Sequence, residues 1–113
     1  MPTVDEHFAD RSDDLRMRSD RLVALTETFG PVEQDPTKSS IHLNRGTAFA
    51  GVAVRKGHIV LTIPSDRPLD GPRVFESQRT SAQRVHHQVR VATVKDLDTE
   101  LRDWLKAADD LSQ

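Results

Sequence analysis

Cysteine and tyrosine are missing from these 113 residues, and the aromatic complement stops at four Phe and one Trp. Without cysteine there are no disulfides, no Fe–S ligation and no thiolate chemistry, and nothing points to an oxidising compartment. An excess of basic charge is also lacking: 16 Lys and Arg stand against 18 Asp and Glu, for a formal net charge of -2. No global basic field is available to attract nucleic acid, so that partner is not expected. No apolar run approaches the ~20 residues of a membrane span, and no membrane partner is expected either. The first residues carry Asp5 and Glu6 where a targeting segment would be basic and then apolar, which reads as a cytoplasmic soluble chain. Gly-x-x-x-x-Gly-Lys, Gly-x-Gly-x-x-Gly and Gly-x-Ser-x-Gly are all absent. Neither a nucleotide in a standard cradle nor a nucleophile elbow is therefore expected, and no cofactor is.

What is present suits a single domain over 1–113 with a lean core, since only 35% of residues are hydrophobic. Thr3 followed by Glu6 reads as a capping box for a short helix bearing Val4 and Phe8. Ser12 is the expected N-cap of a second helix. Asp13 and Asp14 sit in its first turn, Leu15, Leu22, Leu25 and Phe29 form its apolar stripe, and Gly30-Pro31 stops it.

From Val32 the periodicity changes to two. Placing two-residue turns at Arg45-Gly46 and Lys56-Gly57 sets Leu43 opposite Ala48, Ile41 opposite Ala50, Val54 opposite Ile59 and Val52 opposite Leu61. Every pair is apolar and all fall on one sheet face, an agreement that a one-residue slip would destroy. The stretch 64–83 is polar and broken by Pro64, Pro68, Gly71 and Pro72, so it reads as a long loop. Val85, His87, Val89 and Val91 alternate with His86, Gln88 and Arg90 and predict one more strand. A last helix opens at Thr93 with Asp96 three residues on, and buries Leu97, Leu101, Trp104, Leu105, Ala108 and Leu111. The expected class is α+β: two N-terminal helices, an antiparallel β-meander of about four strands, and a C-terminal helix packed on one sheet face.

This order of elements, with Pro36-Thr37-Lys38-Ser39-Ser40-Ile41, a second strand centred on Phe49, His86-His87-Gln88-Val89, and Asp96-Leu97-Asp98 leading to Trp104-Leu105, resembles domain-of-unknown-function family 5655. The resemblance spans nearly the whole chain. It implies a fold and brings no activity, substrate or catalytic residues.

The same register assigns a second sheet face, where His42 pairs with Phe49, Gly51 with Thr62, Ala53 with Val60 and Arg55 with His58. His86, Gln88 and Arg90 join it if the last strand turns its valines inward. Small residues beside converging polar groups are what ligand sites look like, although a solvated outer face has the same pattern. Lys38, within Thr37-Lys38-Ser39-Ser40, and Arg73, Arg79 and Arg84 from the loop are cations able to approach an anion. The candidate ligand-binding residues are Lys38, His42, Phe49, Arg73, His86 and Arg90.

His86 and His87 point to opposite faces and make no metal pair, and His87 is expected as a structural imidazole among the valines. The acids at 5–14 and 96–103 fall mainly in first helical turns, where the dipole explains them, and no metal site is expected. Three functions remain in view. The favoured one is a non-enzymatic module that binds a small anionic ligand or a protein segment on the second face. The others are a small enzyme using a His/Lys/Arg cluster and a structural domain that forms a homodimer.

Overall fold

The helix signals act where the sequence places them. A computed structural model describes residues 2–66, 69 and 72–112. In it α1 (Val4–Phe8) is capped by Thr3, whose Oγ1 accepts from Glu6 N at 3.1 Å. Ser12 Oγ accepts from Leu15 N at 3.2 Å and opens α2 (Asp13–Glu27). Each cap satisfies a backbone donor that has no partner within its helix. Gly30, with φ 141°, turns the chain out of α2 and into the sheet.

Among the described residues the sheet has six strands, two more than the pattern predicts: β1 (Glu33–Pro36), β2 (Ile41–Arg45), β3 (Thr47–Val54), β4 (Ile59–Ser65), β5 (Val74–Ser81) and β6 (Arg84–Val91). Their order is β1-β2-β3-β4-β6-β5, and every neighbouring pair is antiparallel. The β3–β4 register is the expected one, with Val54 opposite Ile59 and Val52 opposite Leu61 around the Lys56-Gly57 turn. The β2–β3 register differs by two residues: Ile41 faces Val52, His42 faces Gly51 and Leu43 faces Ala50. Two local features cause the shift. Gly46, at φ 79°, makes the turn alone between paired Arg45 and Thr47, and the ladder bulges at Leu43/Asn44, where Phe49 is the extra residue on β3. A shift of two preserves parity, so Ile41 and Leu43 still face the core.

The bulge also corrects the placement of Phe49. Its ring is 0% exposed and belongs to the core rather than to the second face. The expected loop over 64–83, of which 67, 68, 70 and 71 lie outside the described residues, is in part strand: β4 runs to Ser65, and β5 occupies Val74–Ser81 and pairs with β6 along its length. As an edge strand β5 is exposed at nearly every position, so it has no apolar alternation by which to announce itself.

One apolar cluster joins Phe8, Leu15, Leu22 and Val23 of the first two helices to Ile41, Leu43, Val52, Ile59, Leu61, Ile63 and Val89 of the sheet. The last helix, α3 (Thr99–Ser112), contributes Leu101, Leu105 and Ala108 and packs on β3 and β4. It begins six residues later than expected. Asp96 Oδ2 accepts from Ala92 N and Thr93 N across a single 3₁₀ turn (Val94–Asp96), and Asp98 Oδ1 accepts from Leu101 N at 3.0 Å to cap α3 itself. Trp104 is half-buried at the edge of the cluster rather than within it.

At the far end of α3, Asp109 is 1% exposed and accepts from Arg45 Nε at 2.9 Å. The guanidinium reaches it by crossing Gly30, where a Cβ would lie 1.8 Å from Arg45 Nη1. Beside it, Thr47 Oγ1 donates to Ser112 O at 2.8 Å. Arg45→Ala removes the 2.9 Å guanidinium partner of a buried carboxylate and is expected to cost about 3–5 kcal/mol in urea unfolding. Lys106→Ala removes a half-exposed ammonium 2.6 Å from the exposed Asp110 and 4.0 Å from Asp109, and is expected to cost under about 1 kcal/mol.

Candidate functional site

Among the described residues, the helices contribute to the core on the first face of the sheet. Across the second face runs one row in which each residue stands opposite the next: Asp35, His42, Gly51, Thr62, Gln88 and Glu76, one from each strand. Directly opposed residues of an antiparallel sheet share a face, so these six side chains lie side by side. A small-residue stretch of β3 interrupts the row. Gly51 has no side chain, Ala48 and Ala53 reach only one carbon, and a groove of about 410 Å³ opens above them.

Ser40 and His42 of β2 and its preceding turn form one wall of the groove, and Arg84 and His86 of β6 form another. Thr62 and Pro64 of β4 lie between them, and Ser112 at the end of α3 closes the edge near Ala48. Adjacent strands are about 4.8 Å apart, so three strand steps, roughly 14 Å, separate the strands that carry His42 and His86, and His86 lies two residues further along its strand than the row of His42. The two imidazoles stand on opposite sides of a space rather than against each other. Two histidines, one arginine and three hydroxyls line it, with no carboxylate among the described lining residues.

Three of the expected site residues meet here: His42, His86 and, through atoms bordering the floor, Phe49. Lys38 does not. It projects from the tip of the β1–β2 turn, where Thr37 N donates to Ser40 O at 2.7 Å and Thr37 Oγ1 accepts from Ser40 N at 3.1 Å. The hydroxyls thus close the turn on itself, and Lys38 borders a separate depression with Pro2, Glu6 and His7, whose Nε2 lies 2.7 Å from Thr37 O.

Arg90 lies over the exposed Phe75 ring, 5.2 Å from its centroid, away from the groove. Near it, burial and then the charges of Arg90, Arg55 and Arg18 hold the His58 imidazole below its ordinary value. His87 occupies the core face as expected, 1% exposed, and shares a 2.7 Å hydrogen bond between its Nδ1 and Ser77 Oγ. Among the described residues no group of three His, Asp or Glu side chains is placed to hold a metal ion.

Arg73 has a different occupation altogether. Its Nη1 donates to Asp98 at 2.8 Å and Glu100 at 3.3 Å, its Nη2 donates to Asp96 O, and its guanidinium stands 5.8 Å from the Trp104 ring. It ties the start of β5 to the start of α3, with carboxylates where a ligand's anion would have to be. Partial burial works against its charge, yet Asp98 and Glu100 hold the guanidinium above its ordinary value. Sequence reasoning passed over Glu76, Gln78 and Thr62. The first two were hidden by the unrecognised β5, whereas Thr62 was legible as the residue opposite Gly51.

A six-stranded antiparallel sheet with helices gathered on one face and a groove on the other defines a small mixed α/β domain. Residues 4–112 match the family model described as Domain of unknown function (DUF5655), and the chain belongs to that family. No curated protein and no solved structure matches the chain. No helix among the described residues is long and apolar enough to cross a membrane.

The Arg73 cluster predicts an acid response. The Arg73 hydrogen bond first, and the Leu101 N–H next, hold the Asp98 carboxyl below its ordinary value. A carboxyl lowered on folding stabilises the native state above its unfolded pKa, near 3.9, and that contribution is lost as pH falls through the folded value. Asp98→Asn keeps a capping oxygen for α3 but loses the ion pair. Its thermal midpoint is expected to fall below wild type at pH 7, by a gap that narrows as pH falls below the unfolded carboxyl value.

Proposed function

We propose that this domain is a non-enzymatic binding module that takes a small organic anion into the second-face groove. The observation carrying this reading is the make-up of the lining: an arginine, two histidines and three hydroxyls around an apolar floor, without a carboxylate, in a chain whose acids outnumber its bases. A guanidinium, imidazole N–H groups and hydroxyls are the donors that a carboxylate or phosphate accepts from, and Ala and Gly leave the space such a ligand fills. The volume suits a ligand of modest size.

The enzyme reading loses support from the same geometry. General acid–base work needs groups within hydrogen-bond reach of one reacting centre. Here Lys38 borders a different depression, and His42 and His86 stand across a gap several strands wide.

Gly51 supplies a test that spares the fold. A Cβ there would make an ordinary 3.8 Å contact with Thr62 Cβ, and a larger side chain would project into the groove. Pentanoate and inorganic phosphate, titrated into labelled protein, are expected to shift the amide signals of His42, Gly51, Thr62 and His86 saturably. Gly51→Leu is expected to abolish those shifts while its thermal midpoint stays at or above wild type, since a strand interior gains from losing a glycine. Neither anion moving these signals would overturn the proposal.

A further inference from the structure

The groove does not end at His86. Thr62 and His86 also border a second hollow of about 190 Å³, whose other walls are Glu76 and Gln78 of β5 and Gln88 of β6. The two compartments share a boundary and differ in chemistry. One offers a guanidinium, imidazoles and hydroxyls over an apolar floor, and the other offers a carboxylate and two amides. Glu76 is exposed, and it is the acid of the transverse row that lies beyond His86.

From these two compartments, and resting on the anion reading above, we infer that the ligand is dipolar: a short peptide whose terminal carboxylate enters the groove and whose terminal ammonium lies against Glu76. Charge complementarity selects the ends. A carboxylate over Thr62 meets the His86 wall of the groove, with Arg84 further along the same strand, and an ammonium in the second hollow meets Glu76, with the side-chain oxygens of Gln78 and Gln88 as further acceptors. Spacing selects the length. Thr62 and Glu76 are two strand steps apart in one row, or about 10 Å. An extended chain advances about 3.3–3.6 Å per residue, so three residues span this distance and a single amino acid does not. The amides of Gln78 and Gln88 along the way match a peptide backbone's donors and acceptors.

The experiment compares trialanine, N-acetyl-trialanine and pentanoate by amide chemical-shift titration of the full chain and of Glu76→Gln. Glu76 lies on the exposed edge strand, and its replacement leaves the core untouched. Trialanine is expected to bind about three- to fivefold more tightly than its acetylated form, the scale of one partly exposed ion pair. That difference is expected to vanish in Glu76→Gln, and pentanoate is expected to bind both proteins alike. Equal binding of the two peptides to the wild-type protein, or a preference that survives Glu76→Gln, overturns the dipolar assignment and leaves the anion reading standing. Absence of binding by all three, pentanoate included, overturns both.

Discussion

The Arg45–Asp109 ion pair holds the two layers of this protein together at one end. A carboxylate buried to 1% exposure in a helix that otherwise packs by Leu101, Leu105 and Ala108 is tolerable only with its countercharge in place. That countercharge comes from a residue 64 positions earlier in the chain. It can arrive only because Gly30 has no side chain in its path, so the glycine that ends α2 also admits the guanidinium. Three elements converge on one contact: the exit of α2, the tip of the β2–β3 hairpin and the last turns of α3. It pins the last turns of α3 beside the β2–β3 hairpin, while Leu101, Leu105 and Ala108 pack the helix on the apolar face of β3 and β4.

The open face follows from the same division of labour. With all three helices contributing to one apolar cluster, the other side of the sheet is left with what the alternate positions encode. On β3 these are small, and on β2, β4 and β6 they are histidine, threonine, glutamine and arginine. Two ends of one strand play opposite parts. The bulge at Phe49 drives a ring into the core, and Gly51, two residues on, makes the floor of the groove.

Features with a local physical cause were legible in the sequence. Thr3, Ser12 and Gly30 mark helix ends by chemistry that acts within three residues, and Lys56-Gly57 sets its hairpin correctly because the apolar pairs on both sides agree. The separation of His86 from His87 follows from strand parity alone. Three features were hidden because their causes lie elsewhere. The bulge at Phe49 depends on the space the ring finds in the core. β5 is an edge strand whose hydrogen bonds to β6 need no apolar pattern. Arg73 is committed to carboxylates 25 and 27 residues away, and nothing in its own neighbourhood reveals that. For the site, parity located the correct face, while the groove's outline depended on β5 and on where the β1–β2 turn directs Lys38.

The two hairpin tips, alike in having a glycine at positive φ, differ in how freely they open. At Gly46 the flanking residues are moored to α3 on both sides, Arg45 to Asp109 and Thr47 to the carbonyl of Ser112. Separating those strands requires the end of the helix to lift as well. At Gly57 the turn is closed by its own backbone, Arg55 N to His58 O, with the exposed Arg55 and Lys56 facing water. Opening there breaks only local bonds. The sheet is therefore asymmetric in its breathing: amide protons near 56–58 exchange through small, frequent fluctuations, and those near 45–47 wait for a rarer event that involves both layers.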